Sequence, residues 1–151
     1  ISKEHSALVS KFQDKNYPKG KLIEEYTEFL NECPQYYRAY YERAILYTHV
    51  GRYKEAIADN EILIKHNERL WSDALINKAE ALYFMKEYGL ALKSANRYFE
   101  VEEQTESEAY KIRAEIFKKL KMYDEHNADM RMYKKKEKEE KKKKKYSYCQ
   151  K

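Results

Sequence analysis

One feature restricts this chain more than any other: the sequence repeats itself every 35 residues. Tyr40 returns as Leu75 and Tyr110, Ala44 as Ala79 and Ala114, and Tyr47 as Leu82 and Phe117. Tyr53 returns as Tyr88 and Tyr123, and Ala56 as Ala91 and His126. A base before the small residue returns too, as the exposed-looking Arg43, Lys78 and Arg113. The unit reads as two amphipathic helices split by Gly51: Tyr40, Ala44 and Tyr47 share one helical face, and Ala56, Asn60 and Leu63 share another after the turn. Neither helix buries such a face alone, so a period of this size predicts helix pairs stacked into an array.

Composition matters here because 38% charged residues and a mean hydropathy of -1.04 would otherwise point to disorder. The 16 Tyr and 5 Phe supply the missing apolar surface at helical spacing. With 3 Gly and 2 Pro, the chain lacks the turn residues of an all-β fold. At 151 residues it suits one short array rather than two ordinary domains. Cys33 and Cys149 have no metal-ligand spacing around them and read as free thiols, which suits a reducing compartment, the cytoplasm first. No segment has the length and apolarity of a membrane span, and the N-terminus lacks a signal-peptide pattern. The chain opens on Ile1, so a fragment or a processed product is expected.

The expected repeat domain covers residues 1–133, in copies of about 1–34, 36–67, 72–102 and 105–133. The first copy is degenerate. Ala7, Leu8 and Phe12 share a face before a turn at Asn16-Tyr17-Pro18, with Pro in the first turn of the next helix. Leu22, Ile23, Tyr26, Phe29 and Leu30 make the following stripe, stopped at Cys33-Pro34. Further helices are expected at about Tyr36–Val50, Arg52–Asn67, Ser72–Met85 and Glu87–Glu102. The next starts at a Thr105/Glu108 capping box and runs to about Leu120, and the last begins near Tyr123.

The pattern Tyr40-x-x-Arg43-Ala44-x-x-Tyr47 with Ala56-x-x-x-Asn60, and its returns from Leu75 and from Tyr110, resembles the tetratricopeptide repeat. The family usually repeats every 34 residues, so the added residue is assigned to the loops between repeats, and His126 stands where the family has a small residue. The resemblance implies an all-α fold of antiparallel helix pairs stacked as a right-handed α-solenoid, with the first helix of each pair lining a concave groove. That groove face would carry Arg38, Tyr41, Glu42, Ile45 and His49 from one repeat. The next would add Asp73, Ile76, Asn77, Glu80, Tyr83 and Phe84, and the third Glu108, Lys111, Ile112, Glu115 and Lys119.

Tyr41, Ile45, Ile76, Tyr83 and Phe84 are too apolar for an idle surface and point to an interaction site. The expected function is a scaffold or adaptor that binds a peptide or a partner helix. The acids Glu42, Asp73, Glu80, Glu108 and Glu115 favour apolar or basic segments over acidic ones. The carboxylate clamp by which some family members hold acidic chaperone tails is not assigned, because Asn77 alone matches it. His5, His49, His66 and His126 lie on separate helices outside any nucleophile or metal motif, and no glycine-rich phosphate loop occurs. No enzyme activity, cofactor or metal is expected.

The net charge of +5 belongs to the end of the chain. From Lys134 to Lys151 ten lysines face three glutamates, which leaves 21 basic against 23 acidic residues before them. Glu137, Glu139 and Glu140 stand four before Lys141, Lys143 and Lys144, so a charged helix is expected to project into solvent to about Lys145. This tail supports the alternative reading, a binder of nucleic acid or of an acidic protein surface, and Lys141–Lys145 would also serve as a nuclear-import signal. Tyr146 and Tyr148 are too few to stack bases, so nucleic acid is not the favoured partner.

Overall fold

The computed structural model describes residues 2–67 and 69–148, and these form eight helices: α1 (Lys3–Gln13), α2 (Lys19–Glu32), α3 (Tyr37–His49), α4 (Tyr53–His66), α5 (Trp71–Phe84), α6 (Tyr88–Val101), α7 (Ser107–Lys119) and α8 (Tyr123–Tyr148). Among the described residues there is no strand. Each helix packs on the next in sequence, and α3 also touches α5 as α5 touches α7, so the first helices of successive pairs form one continuous side. Cys33 is a free, exposed thiol, and Cys149 lies outside the described residues.

The repeat is visible as geometry. Ala44, Ala79 and Ala114 are sealed at the helix crossings, as are Ala56 and Ala91. At the sixth position, His126 fits beside its neighbour because its Nδ1 lies 2.8 Å from the Ala114 carbonyl oxygen, a distance suited to a ring N–H donating. Every turn inside a pair from α3 onward ends the same way. Gly51, Lys86 and Lys121 sit at φ of 79°, 64° and 60°. The next residue donates back five positions, Arg52 to Tyr47, Glu87 to Leu82 and Met122 to Phe117, at 2.8, 2.9 and 2.9 Å. These are Schellman closures, which need a left-handed residue and usually take glycine.

The recurring base is not exposed. Arg43 donates through Nε and Nη2 to both carboxylate oxygens of Asp59, each at 2.8 Å, and through Nη1 to Thr27 Oγ1 at 3.0 Å. Arg113 repeats this with Asp129 at 2.7 and 2.9 Å and with Asn96 Oδ1 at 3.4 Å. Each arginine therefore ties its own pair together and reaches the second helix of the preceding pair. In the middle repeat Lys78 keeps the backward link alone, to Glu61 on α4, and Ser94 stands in the aspartate register and donates to the Leu75 carbonyl at 2.7 Å.

Three further sequence expectations change. Ala7 is exposed, and the buried face of α1 is made by His5 and Leu8 with Phe12 beside them. The Thr105/Glu108 capping box does not form: the Thr105 hydroxyl donates to Tyr110, and no side chain of the α7 N-cap residue Glu106 bonds the helix. The cap comes instead from α8, where Glu140 accepts from the Ser107 backbone N–H at 2.9 Å and from its hydroxyl at 2.7 Å. Residues 134–140 consequently do not project. Tyr133, Lys136, Glu137 and Glu140, spaced at helical intervals, are half-buried along α7, and exposure is continuous over Lys141–Lys145. The cause is polar rather than apolar docking, since a carboxylate at a helix N-terminus satisfies open N–H groups and the helix dipole together.

Candidate functional site

The side built by α3, α5 and α7 holds two adjoining hollows. On α5 the residues Asp73, Asn77, Glu80 and Phe84 recur at helical spacing, and on α7 Glu108, Ile112 and Glu115 do the same, so both helices turn a ladder toward the shared space. The inner hollow, of about 150 Å³, is lined by Tyr41, Asp73, Ile76, Asn77 and Glu80, with Glu108, Ala109 and Ile112 from α7 and Tyr98 and Glu106 from behind. The outer one, of about 210 Å³, is lined by Glu80, Tyr83, Phe84, Glu108, Lys111, Ile112 and Glu115. Glu80, Glu108 and Ile112 belong to both.

The electrostatics are those of carboxylates short of cations. Burial, then Glu102, pushes the Asp73 carboxyl above its ordinary range, with Arg38 pulling weakly the other way. Burial, then Glu108, does the same to Glu80 against a weaker pull from Lys111. Neither has a hydrogen bond or an ion pair among the described residues. Lys111 is engaged with Glu108 at 3.3 Å. Burial raises the Tyr41 hydroxyl, with Asp73 adding to it, and pushes Tyr98 up to about 12. The Asn77 side chain lies close enough to Tyr41 to oppose that shift, yet its buried Nδ2 meets no acceptor at hydrogen-bonding geometry. Phe84 is 48% exposed, stacked on Tyr53 at 5.4 Å between centroids and edge-on to Tyr83 at 5.5 Å.

Most residues assigned from sequence to a groove on this side line the two hollows; those of α3 largely do not. Glu42 is a correction. It is 3% exposed and sunk in a network in which its carboxylate accepts from Tyr26 at 3.0 Å and Arg38 Nε at 3.0 Å and meets His5 Nε2 at 2.8 Å. Tyr36 lies 3.1 Å from the other nitrogen of that ring. This carboxylate holds α1 to α3 and presents no charge to the groove. Arg38 is spent on Glu42 and on the Tyr41 face, 4.9 Å from its centroid. Ile45, His49 and Lys119 line neither hollow. Ile76 is buried and serves as floor.

Tyr98 and Glu106 were missed, because a search of first helices overlooks a second-helix side chain and a loop. The signal for Tyr98 was its register: Leu63 and Tyr133 occupy the same place, so a large residue recurs there. A larger hollow, of about 650 Å³, lies elsewhere, between the α6–α7 loop and the later part of α8. Its walls are charged, amide and hydroxyl side chains such as Glu103, Gln104, Lys136 and Lys143, with no aliphatic or aromatic residue among them, unlike an ordinary ligand site.

Among the described residues no group of three or more His, Cys, Asp or Glu could hold a metal ion, and no helix is long and apolar enough to cross a membrane. Helix pairs with small residues at the crossings, a recurring 35-residue register and one side shared by α3, α5 and α7 define a tetratricopeptide-type, right-handed α-solenoid. Comparison with solved structures agrees. The chain superposes on a crystal structure of MamA, a tetratricopeptide-repeat protein, with a TM-score of 0.74 and 17% identity over 93% of this chain and 81% of that one. A second MamA crystal structure gives 0.72 and 17% over 93% and 76%. No protein-family profile matches the sequence, and no curated protein does.

Proposed function

We propose that the chain is a protein-interaction scaffold that holds a peptide or partner helix along the side formed by α3, α5 and α7, and that it prefers apolar or basic segments. The observation that carries this is Phe84, a large ring left half in water at the mouth of a hollow walled by Tyr83, Ile112 and carboxylates. Burying such a ring rewards association by roughly 25 cal/mol per Å² removed from water. The test compares proteins captured from lysate by the parent and by Tyr83→Ser/Phe84→Ser, at low and at high salt. Partners retained by the parent at high salt and lost by the variant support the groove. Identical captures count against it.

A second reading has its own observation. Docking of α8 leaves its bases concentrated outward: Glu140 is taken up by Ser107 of α7, while Arg131, Lys134, Lys135, Lys138 and Lys142, with Glu139 the one acid among them, border one outward face. That basic stripe suits a polyanionic partner, an acidic protein surface or nucleic acid. Its binding would fall steeply with salt through counterion release, and charge reversal at Lys134 and Lys138 would abolish it while leaving groove binding intact.

A further inference from the structure

The two hollows differ in chemistry, and the difference specifies what a bound segment must carry. The inner one is polar and the more enclosed, with Asp73 and Glu80 in its wall making no ion pair among the described residues, Glu106 and Glu108 adding charge of the same sign, and Tyr41 and Tyr98 lining it. The outer one is walled by Tyr83, Phe84 and the Ile112 side chain. Sharing Glu80, Glu108 and Ile112, they are next-door positions along one path.

We infer that these are paired subsites for one extended basic segment: the inner hollow takes a single Lys or Arg side chain, and the outer takes an apolar side chain two residues away. This rests on the groove reading above and narrows it. Two observations lead to it. First, Asp73 and Glu80 stand half-buried in the wall of one hollow, held above their ordinary range by burial and then by Glu102 and Glu108 respectively, and such carboxylates are relieved by a cation more than by any neutral group. Second, Tyr41 and Tyr98 line the same space, and Tyr41 already draws the Arg38 guanidinium to 4.9 Å from its ring centroid, as aromatic rings do with cations that have shed water. The spacing follows from strand geometry, since side chains two apart in an extended chain lie on one side and about 6.5–7 Å from each other. Such a segment reads Lys/Arg-x-apolar, in either direction.

The experiment has two stages. Purified protein is first panned against a display library of short random peptides, with elution by the parent protein in solution. Enriched sequences are expected to share a Lys or Arg two positions from Leu, Ile, Met or Phe. The best peptide is then measured by fluorescence anisotropy beside a copy with the base replaced by Gln. The substitution should weaken binding by about tenfold or more, as expected for losing a charge-assisted contact in a partly dehydrated site. Against Glu80→Gln and Asp73→Asn the gap between the two peptides should close, whereas Phe84→Ser should weaken both peptides equally. Circular dichroism checks that each variant is folded. Enrichment of apolar peptides that need Phe84 but no base would overturn the cation subsite and leave the groove standing. An absence of any enriched peptide would overturn both.

Discussion

The arginine clamp provides the sharpest test of the repeat architecture. In Arg43→Met, Asp59, itself only 5% exposed on its side chain, loses two hydrogen bonds of 2.8 Å, and Thr27 loses a donor at 3.0 Å. Breaking a buried pair while leaving one charge behind costs about 3–5 kcal/mol. The Arg43 side chain is 13% exposed, so some water reaches the pair and the lower end applies. About 3 kcal/mol in a chain of this length corresponds to a melting temperature lower by roughly 6–12 °C. The mechanism is the stranded carboxylate rather than lost attraction. Removing both charges in Arg43→Met/Asp59→Leu should therefore return stability to within about 1 kcal/mol of the parent. Burial already holds Asp59 above its ordinary 3.8 with the arginine in place, and the single variant should raise it further. A carboxyl with a raised folded value favours folding below its unfolded value and loses that contribution as pH rises through the folded one. The deficit of the single variant must accordingly shrink as pH falls below neutral. Lys78→Met is the internal control. Its partner Glu61 is 54% exposed, so it should cost no more than about 1 kcal/mol. Urea melts of the four proteins at several pH values decide the matter. A single variant no worse than Lys78→Met, or a double variant no better than the single, would refute the reasoning.

Other expectations follow from the same geometry. Ala79→Phe, at a fully sealed crossing, should overpack it and cost about 1–3 kcal/mol in a thermal melt, whereas a melt like the parent's would disprove the register. Lys86→Gly removes a side chain from left-handed backbone and should stabilise by a few tenths to about 1 kcal/mol, read from the urea midpoint. Glu140→Ala should cost about 1 kcal/mol as a lost helix cap. The bonds to Ser107 hold this carboxyl below its ordinary 4.5, so its contribution is complete above that value and disappears as pH falls through the lower folded one. Deleting 134–151, which removes the Glu140 cap on α7, should lower the melting temperature. Glu80→Gln should raise the melting temperature at neutral pH, because the Glu80 carboxyl is held above 4.5 in the fold. Well below that value the gain should vanish, and a gain independent of pH would disprove the assignment.

What the sequence displayed and what it concealed divide along a physical line. Periodicity reports which way a side chain leaves its helix, and so Ala44, Ala79 and Ala114 could be placed at crossings, and Asp73, Asn77, Glu80 and Phe84 on the face that the structure lines with hollows. It does not report the partner a polar side chain finds on arrival. Glu42 has the register of a groove residue and became a buried anchor because His5, 37 positions earlier, comes to lie within 2.8 Å. Arg43 looked solvated for the same reason, since Asp59 and Thr27 belong to two other helices. On α8 the pairing of Glu140 with Lys144 four residues on was local and easy to see. The Ser107 N–H that Glu140 actually bonds is 33 positions back and gave no sign.

That last bond also sets an order of events. As the chain is synthesised, α7 emerges with its first turn open and receives its carboxylate once Glu140 has left the ribosome, a delay of seconds at ordinary rates of elongation. Until then the wall that α7 contributes to both hollows ends in an uncapped turn next to Glu108. A nascent chain thus exposes the helix pairs from α1 to α6 before the wall of both hollows, where we propose that a segment binds, can be completed.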